Sequence, residues 1–192
     1  MGIRTMGDGR QRILHTAEEL FTERGYQAVS IREIARACDM TNAALYYHFP
    51  SKAALFHEVM EQHVANLKSR MQQAGSISPG HKEKVRNILA EYARAAGHHA
   101  PFFLLRRELG HGSFQNQYES FLRSMLEPLE KELQLAIEAK ELRSLPEESS
   151  PAALLVGMLQ GLVQYRKAGD GRRIYLEDVS LVVDIFWEGM KA

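Results

Sequence analysis

The chain has 192 residues, 45% of them hydrophobic, and its 24 lysines and arginines are balanced by 24 aspartates and glutamates. This composition favours a folded globular protein and excludes a generally basic protein that coats nucleic acid, so any binding to DNA must be local. Because the chain has one cysteine, Cys38, no apolar run like that of a signal peptide and no apolar stretch long enough to span a membrane, we expect a cytoplasmic protein.

The first predicted elements are a short arm and an amphipathic helix. Residues 1–9 contain three glycines and no helical period of apolar residues, which predicts a flexible arm. From Arg10 to Arg24 apolar residues recur three and four positions apart, and Gly25 provides a stop signal. This spacing predicts a first helix over Arg10 to Arg24.

Two short helices separated by a brief turn are predicted next. Ser30 and Glu33 have the spacing of a capping box, in which the hydroxyl and the carboxylate each bind an amide at the helix start. Thr41 offers a second N-terminal cap, and Pro50 disfavours a helical backbone at Phe49, where the second helix ends. Four apolar residues are available for a shared core: Ile34, Ala35, Met40 and Leu45. The pattern predicts a helix-turn-helix unit.

The rest of the chain is predicted to be helical. Ser51 can cap a long helix from Lys52 to about Ala74, and residues 75–80 are a loop by composition. Helical spacing continues over Lys82 to Gly97, Pro101 to Leu109, Ser113 to Leu142 with a kink expected at Pro128, Ser150 to Lys167, and Leu176 to Met190. The predicted fold class is all-α with about nine helices, an N-terminal three-helix helix-turn-helix domain followed by a C-terminal helical bundle.

The side chains of the helix-turn-helix unit suit DNA. A capped helix start directs free amides and partial positive charge outward, which favours a phosphate. The small side chains of Ala43 and Ala44 let the second helix approach base edges in the major groove. Groups that can donate to flanking phosphates follow at Tyr46, Tyr47, His48 and Lys52. The unit is therefore predicted to bind DNA.

The same residues resemble the TetR family of bacterial repressors over about Ile13 to Leu55. The resemblance lies in Gly25-Tyr26, Ser30 to Ala35, Met40 to Phe49 and Ser51 to Leu55. It implies a helix-turn-helix DNA-binding domain over residues 10–52 and a helical ligand-binding and dimerisation domain over residues 53–192. The residues that it implies for DNA contact are Ser30, Arg32, Thr41, Asn42, Ala43, Ala44, Tyr46, Tyr47, His48 and Lys52.

The resemblance also implies a function. It predicts a homodimeric transcription regulator, a repressor that a small hydrophobic effector releases from a palindromic DNA operator, with no cofactor, no metal and no enzymatic activity. Two alternatives remain open. One is a constitutive DNA-binding or interaction module without an effector, and the other is a helical enzyme that would use His98, His99 or Glu108.

Two residues depart from the family pattern. Asp39 stands where the turn usually has glycine, and it is tolerable because aspartate accepts a left-handed backbone more readily than most residues. Ala43 stands where the recognition helix usually has glycine, and its methyl group can read a thymine methyl or alter the preferred site. The motif therefore does not identify the operator sequence.

Aromatic and thioether side chains of the second domain are candidates for an effector site, because such groups commonly line apolar cavities. The predicted lining residues are Tyr92, Phe102, Phe103, Arg106, Tyr118, Phe121, Met125 and Met158. Among them, Arg106 could anchor a polar group. The alternative is that the apolar members fill the core and that Arg106 lies on a solvated helix face.

The last two predicted helices are apolar nearly all round. Gly157 and Gly161 leave a smooth strip for close helix contact, and in the family such helices pair with their symmetry mates. The predicted dimer interface comprises Leu155, Gly157, Leu159, Gly161, Leu162, Val179, Val182, Val183, Phe186 and Met190. The alternative is that these residues form the core of a single chain.

Two other features have plain explanations. Cys38 is expected to be a small buried residue rather than a redox sensor. His98, His99 and His111 do not predict a metal site, because adjacent histidines do not share a helix face and no further ligand has the needed spacing.

Overall fold

The computed structural model describes residues 6–98, 115–169 and 176–192. These ranges contain eight α-helices and one isolated β-bridge, between Leu142 and Lys191. The helices are α1 Met6–Arg24, α2 Ile31–Ala37, α3 Asn42–His48, α4 Lys52–Gly75, α5 His81–His98, α6 Gln115–Glu138, α7 Pro151–Gly169 and α8 Leu176–Met190. The all-α prediction is confirmed, and the helix predicted over Pro101 to Leu109 lies outside the described residues.

The first helix begins earlier than the sequence predicted. Residues 6–9, which we assigned to a flexible arm, form the first turn of α1. A β-carbon on Gly9 would lie 3.3 Å from Met40 Cε and 3.6 Å from His48 Nε2, so this turn packs closely against the helix-turn-helix. The arm prediction was wrong for these four residues, because a tertiary contact that glycine allows leaves no trace in the local spacing of apolar residues.

The chain divides into two compact units, and the division falls after Val64, within α4. In the first unit, α1, α2, α3 and the start of α4 enclose a core that includes Ile13, Leu14, Ala17, Phe21, Ile34, Leu45, Phe49 and Phe56. Phe21 and Phe56 meet edge to face, with ring centroids 5.2 Å apart. Arg10 of α1 pairs with Glu58 of α4 and lies 4.9 Å over the Phe49 ring. Ring packing and this ion pair together fasten α1 to α4.

The second unit, which comprises Ala65–His98 and Ser120–Ala192, is a helical bundle in which α8 packs against both α5 and α7. Its core includes Val85, Leu89, Tyr92, Leu129, Leu133, Leu155, Leu159, Val179 and Val183. Lys82 and Arg86 of α5 both reach Asp184 of α8, at 2.8 and 3.0 Å. None of the helices described is long and apolar enough to cross a membrane.

Candidate nucleic-acid interface

The start of α2 is held by a complete capping box. The Glu33 amide donates to Ser30 Oγ at 3.2 Å, and the Ser30 amide donates to Glu33 Oε2 at 2.8 Å. Arg24 of α1 also donates to Glu33, at 2.8 Å. The Ser30 amide most strongly, then the Ser30 side chain and Arg24, lower the pKa of Glu33 from 4.5 to about 2. These bonds fix Ser30 at the beginning of α2, as the sequence predicted.

The turn between α2 and α3 is tight. Asp39 has a left-handed backbone, with φ of 52°, which confirms that aspartate takes the place of the usual glycine. The Met40 amide donates to the Ala35 carbonyl at 2.9 Å, and Thr41 Oγ1 accepts from the Ala44 amide at 3.1 Å. The turn therefore ends at Thr41, which caps the start of α3 and is the first residue of the predicted recognition face.

Helix α3 buries the side chain of Leu45, leaves that of His48 half-buried and exposes the other five. Leu45 is fully buried, and Ala43 and Tyr47, two residues to either side, project in the opposite direction. Tyr47 is 74% exposed and Tyr46 is 51% exposed, which is uncommon for large aromatic side chains. The other exposed residues of the predicted set are Ser30, Arg32, Thr41, Asn42 and Ala44. The exposed surface of α3 thus combines small, amide and phenol groups.

The two remaining predicted residues, His48 and Lys52, are half-buried. The His48 ring meets Tyr47 edge to face, with centroids 5.4 Å apart. The Lys52 ammonium lies 4.2 Å from the centroid of the Tyr26 ring. This contact could not be predicted from the sequence, because no helical spacing relates residues that far apart in the chain.

Basic side chains border this surface. Arg32 and Arg36 are exposed one turn apart on α2, and Lys52 follows at the start of α4. Among the acidic groups nearby, Glu33 is engaged in the capping box and with Arg24, whereas Asp39 is exposed. Arg36 was not predicted from sequence as a contact, although its position four residues after Arg32 on the same helix face could have indicated it.

The other candidate residues from the sequence are Cys38 and three histidines. Cys38 is buried, as predicted, and its Sγ lies 3.9 Å from the Arg12 carbonyl oxygen. Among the described residues no group of three or more histidine, cysteine, aspartate or glutamate side chains could hold a metal ion. The side chains of His98, His99 and His111 and that of Glu108 lie outside the described part of the chain.

The effector residues predicted from sequence separate in the structure. Tyr92, Phe121 and Met125 are buried in the second unit. Met158, by contrast, is 37% exposed on α7. The side chains of Phe102, Phe103, Arg106 and Tyr118 lie outside the described residues. Gln160 was not predicted from the sequence, and its side-chain amide donates to the Tyr92 hydroxyl at 2.9 Å.

Most of the residues predicted for the dimer interface are buried within their own chain. Seven of them are buried within their own chain: Leu155, Leu159, Val179, Val182, Val183, Phe186 and Met190. Of the rest, Leu162 is half-buried, and β-carbons on Gly157 and Gly161 would meet nothing within 4 Å. The sequence could not show this burial. Helices that are apolar on two faces do not reveal from their spacing which face their own chain covers.

A second set of apolar residues forms the exposed side of α7 and α8. On α7 they are Leu154, Met158 and Tyr165, together with Gly157 and Gly161, and on α8 they are Leu181 and Ile185. We call these seven residues the apolar face. These residues recur three or four positions apart along each helix, so the sequence could have indicated them. The buried residues of the same helices have a similar spacing and are more numerous, which made the exposed set harder to recognise.

Comparison with known proteins gives a consistent family. Residues 13–59 match the family model described as "Bacterial regulatory proteins, tetR family". The chain is 36% identical over 77 residues to the HTH-type transcriptional activator FasR of Mycolicibacterium smegmatis, which is 40% of this chain and 35% of FasR. It is 41% identical over 58 residues to the HTH-type transcriptional regulator AcrR of Shigella flexneri, which is 30% of this chain and 27% of AcrR. The matches thus span about a third or less of these relatives.

The fold of the whole chain is also found among solved structures. The transcriptional regulator FadR from Bacillus subtilis, in complex with stearoyl-CoA, superposes with a TM-score of 0.75 over 94% of this chain and 98% of FadR, at 18% identity. At that identity the likeness establishes the fold and nothing about the ligand.

Proposed function

We propose, from the match of residues 13–59 to the tetR family model, that the chain is a TetR-family transcription regulator that binds a palindromic DNA operator as a homodimer. We further propose that it is a repressor and that a small hydrophobic effector releases it from DNA. The relatives that match the chain are named as regulators, and on that ground the alternative of a helical enzyme is set aside.

The observation that carries the proposal for DNA is the exposed surface of α3. Leu45 anchors this short helix, while Ala43 and Tyr47 project away from the core. Small side chains permit close approach to base edges, and Asn42 can make paired hydrogen bonds to adenine. Tyr46, Tyr47 and Lys52 can donate to phosphates on either side. A helix that exposes two tyrosines beside amide and basic groups suits an anionic, hydrogen-bonding partner.

The apolar face supports the proposal for a homodimer. Its aliphatic members Leu181 and Ile185 are more than half exposed on a single chain, which leaves apolar area in contact with water. A two-fold axis would bring this face against the same face of a second copy and remove that area from water. The open space at Gly157 and Gly161 lets the backbone of a partner helix come close.

The effector is proposed to bind in the interior of the second unit. Phe121 and Met125 supply apolar surface on α6, and the Tyr92 and Gln160 pair supplies a hydrogen-bonding group within it. FadR, whose fold is similar, was solved with stearoyl-CoA, which makes long-chain acyl compounds a suitable first class of ligand to test. Ligand and DNA would oppose one another by linkage, with a coupling of about 1–3 kcal/mol.

The DNA proposal is tested by selecting an operator from a random duplex library with the wild-type protein, followed by titration of the selected duplex. Affinity should fall steeply with salt, since neutralised phosphates release counterions. Replacing Tyr46 and Lys52 together by alanine should weaken binding to every sequence. Asn42→Ala should change the preferred sequence more than the affinity, because amide contacts to base edges specify rather than anchor.

The matched control for Lys52→Ala is Lys131→Ala, which removes an exposed lysine of α6 in the second unit. That variant should bind the selected duplex as the wild type does. A folded Tyr46→Ala, Lys52→Ala protein with unchanged affinity would contradict the proposed interface. Failure of the wild type to select any duplex would contradict the proposed function itself.

The effector proposal is tested by calorimetric titration with acyl-CoA and other long apolar compounds, followed by DNA titration in the presence of each binder. Met125→Ala should weaken ligand binding, whereas Leu133→Ala, an equally buried residue farther along α6, should not. Release of DNA by a binder supports a repressor with an effector. A protein that binds DNA and no such compound would instead be the constitutive module.

A further inference from the structure

Lys52 stands at a helix start, where a cation is electrostatically disfavoured. It is the first residue of α4, where Ser51 Oγ caps the helix by accepting from the Ala54 amide at 3.0 Å. The first turn of α4 contains no acidic residue. Helix starts carry partial positive charge, so an ammonium group is repelled there rather than attracted. The contacts of the Lys52 side chain with other parts of the first unit therefore bear on the position that it adopts.

That contact includes the face of Tyr26. The Lys52 ammonium lies 4.2 Å from the centroid of the ring, within the range of a cation–π interaction. An aromatic face attracts a cation through its quadrupole and leaves the formal charge intact. A carboxylate partner, in contrast, offsets the positive charge that it binds, as Glu33 does for Arg24. A ring is thus a support that keeps an ammonium group attractive to phosphate.

The ring is itself held firmly. Its centroid lies 4.7 Å from that of Phe56 and 5.7 Å from that of Phe21. Gly25, with φ of 83°, ends α1 in a left-handed backbone and directs the next residue towards these rings. The aromatic cluster formed by Phe21, Tyr26 and Phe56 therefore connects a glycine turn to a lysine that stands at the proposed interface.

We propose that Tyr26 is a positioning residue for DNA binding, which holds the Lys52 ammonium in place for a backbone phosphate. The inference rests on the proposed function, since it requires that Lys52 contacts DNA. A lysine side chain loses much rotational freedom when it binds, and the ring removes part of that freedom beforehand. The contribution of one exposed cation–π contact corresponds to about threefold in affinity per half-site, and so to about tenfold for a dimer.

A double-mutant cycle between Tyr26→Leu and Lys52→Gln tests this. The two single variants and the double variant are titrated against the duplex selected by the wild type. Tyr26→Leu should weaken binding about tenfold in the wild-type background and less than twofold when position 52 is glutamine. Tyr26→Phe, which keeps the ring, should bind like the wild type. Phe21→Leu is the matched control, because it perturbs the same cluster without touching Lys52, and its effect should add to that of Lys52→Gln.

A second measurement changes the electron density of the ring without removing it. Fluorinated phenylalanines at position 26 keep the ring shape while each fluorine weakens its negative face, so affinity should decline with each fluorine added. Two results would overturn the inference and make Tyr26 a core residue only. One is that Tyr26→Leu lowers the affinity for DNA equally with lysine or glutamine at position 52, and the other is that fluorination leaves the affinity unchanged. These results would not affect the proposed function as long as the wild type binds the duplex. If the wild type does not bind DNA, the proposed function itself fails.

Discussion

The two exposed surfaces of this protein, that of α2 and α3 and the apolar face of α7 and α8, differ in chemistry. The first exposes phenol, amide, hydroxyl and guanidinium groups around Tyr46 and Tyr47. The second exposes chiefly aliphatic carbon, at Leu154, Leu181 and Ile185. Donor-rich surfaces lose little by facing water and gain from a polyanion, whereas aliphatic surfaces gain only when another apolar surface covers them. The difference supports DNA as the partner of one surface and a second copy as the partner of the other.

The largest expected effect is the loss of the dimer when the apolar face is made charged. Replacing Leu181 and Ile185 together by glutamate should raise the dissociation constant of the dimer more than about 100-fold, because unpaired carboxylates would be buried in the interface. Gly161→Glu should act in the same direction without disturbing the protomer, since a side chain there meets open space in a single chain. Sedimentation velocity over a range of concentrations measures both.

The control for these variants is Ile77→Glu, which alters an exposed residue of the loop before α5. It should leave the dimer unchanged. Operator affinity should fall in the interface variants alone, because a monomer engages one half-site instead of two. An intact dimer in all of the glutamate variants would show that the apolar face has another occupant.

The second prediction separates the two faces of α7. Leu155→Ala removes a fully buried side chain and should lower the free energy of unfolding by about 2–5 kcal/mol. Leu154→Ala, its neighbour on the apolar face, should weaken the dimer more than it destabilises the protomer. Chemical denaturation at one fixed protein concentration, beside sedimentation, checks both. If Leu155→Ala instead weakened the dimer and Leu154→Ala destabilised the protomer, Leu155 would belong to the interface.

The third prediction compares helix caps in the two units. Thr41→Ala and Ser150→Ala each remove a hydroxyl that accepts from a backbone amide, at 3.1 and 3.0 Å, and each should cost about 1 kcal/mol of stability. Only Thr41→Ala should also change DNA affinity beyond its effect on folding. If the two variants lose the same stability and change DNA affinity equally, Thr41 does not contact DNA.

The smallest effect is a dependence of stability on acid. Glu33 has its pKa lowered from 4.5 to about 2 in the folded chain, so its contribution to stability is present above about pH 4.5 and is lost as pH falls towards 2. Lys82 most strongly, with Arg86, lowers the pKa of Asp184, which acts in the same direction in the second unit. Glu33→Gln and Asp184→Asn should each flatten the fall of the melting temperature between pH 6 and 2. Unchanged slopes would contradict the pKa shifts.

The sequence alone determined the features that depend on neighbours in the chain. The capping box at Ser30 and Glu33, the left-handed turn at Asp39 and the position of α3 all follow from residues within four positions of one another. Helical spacing was likewise sufficient for the all-α fold, since a period of three and four needs no distant partner.

Only the tertiary structure decided which apolar face of α7 and α8 is covered by the chain itself. Both faces have helical spacing, and the choice between Leu155 inside and Leu154 outside depends on how α5 and α7 pack against α8. The same holds for the start of α1 against Met40, and for the Lys52 ammonium over the Tyr26 ring. Local sequence encodes the direction of a side chain from its own helix, whereas its surroundings depend on residues brought near by the fold.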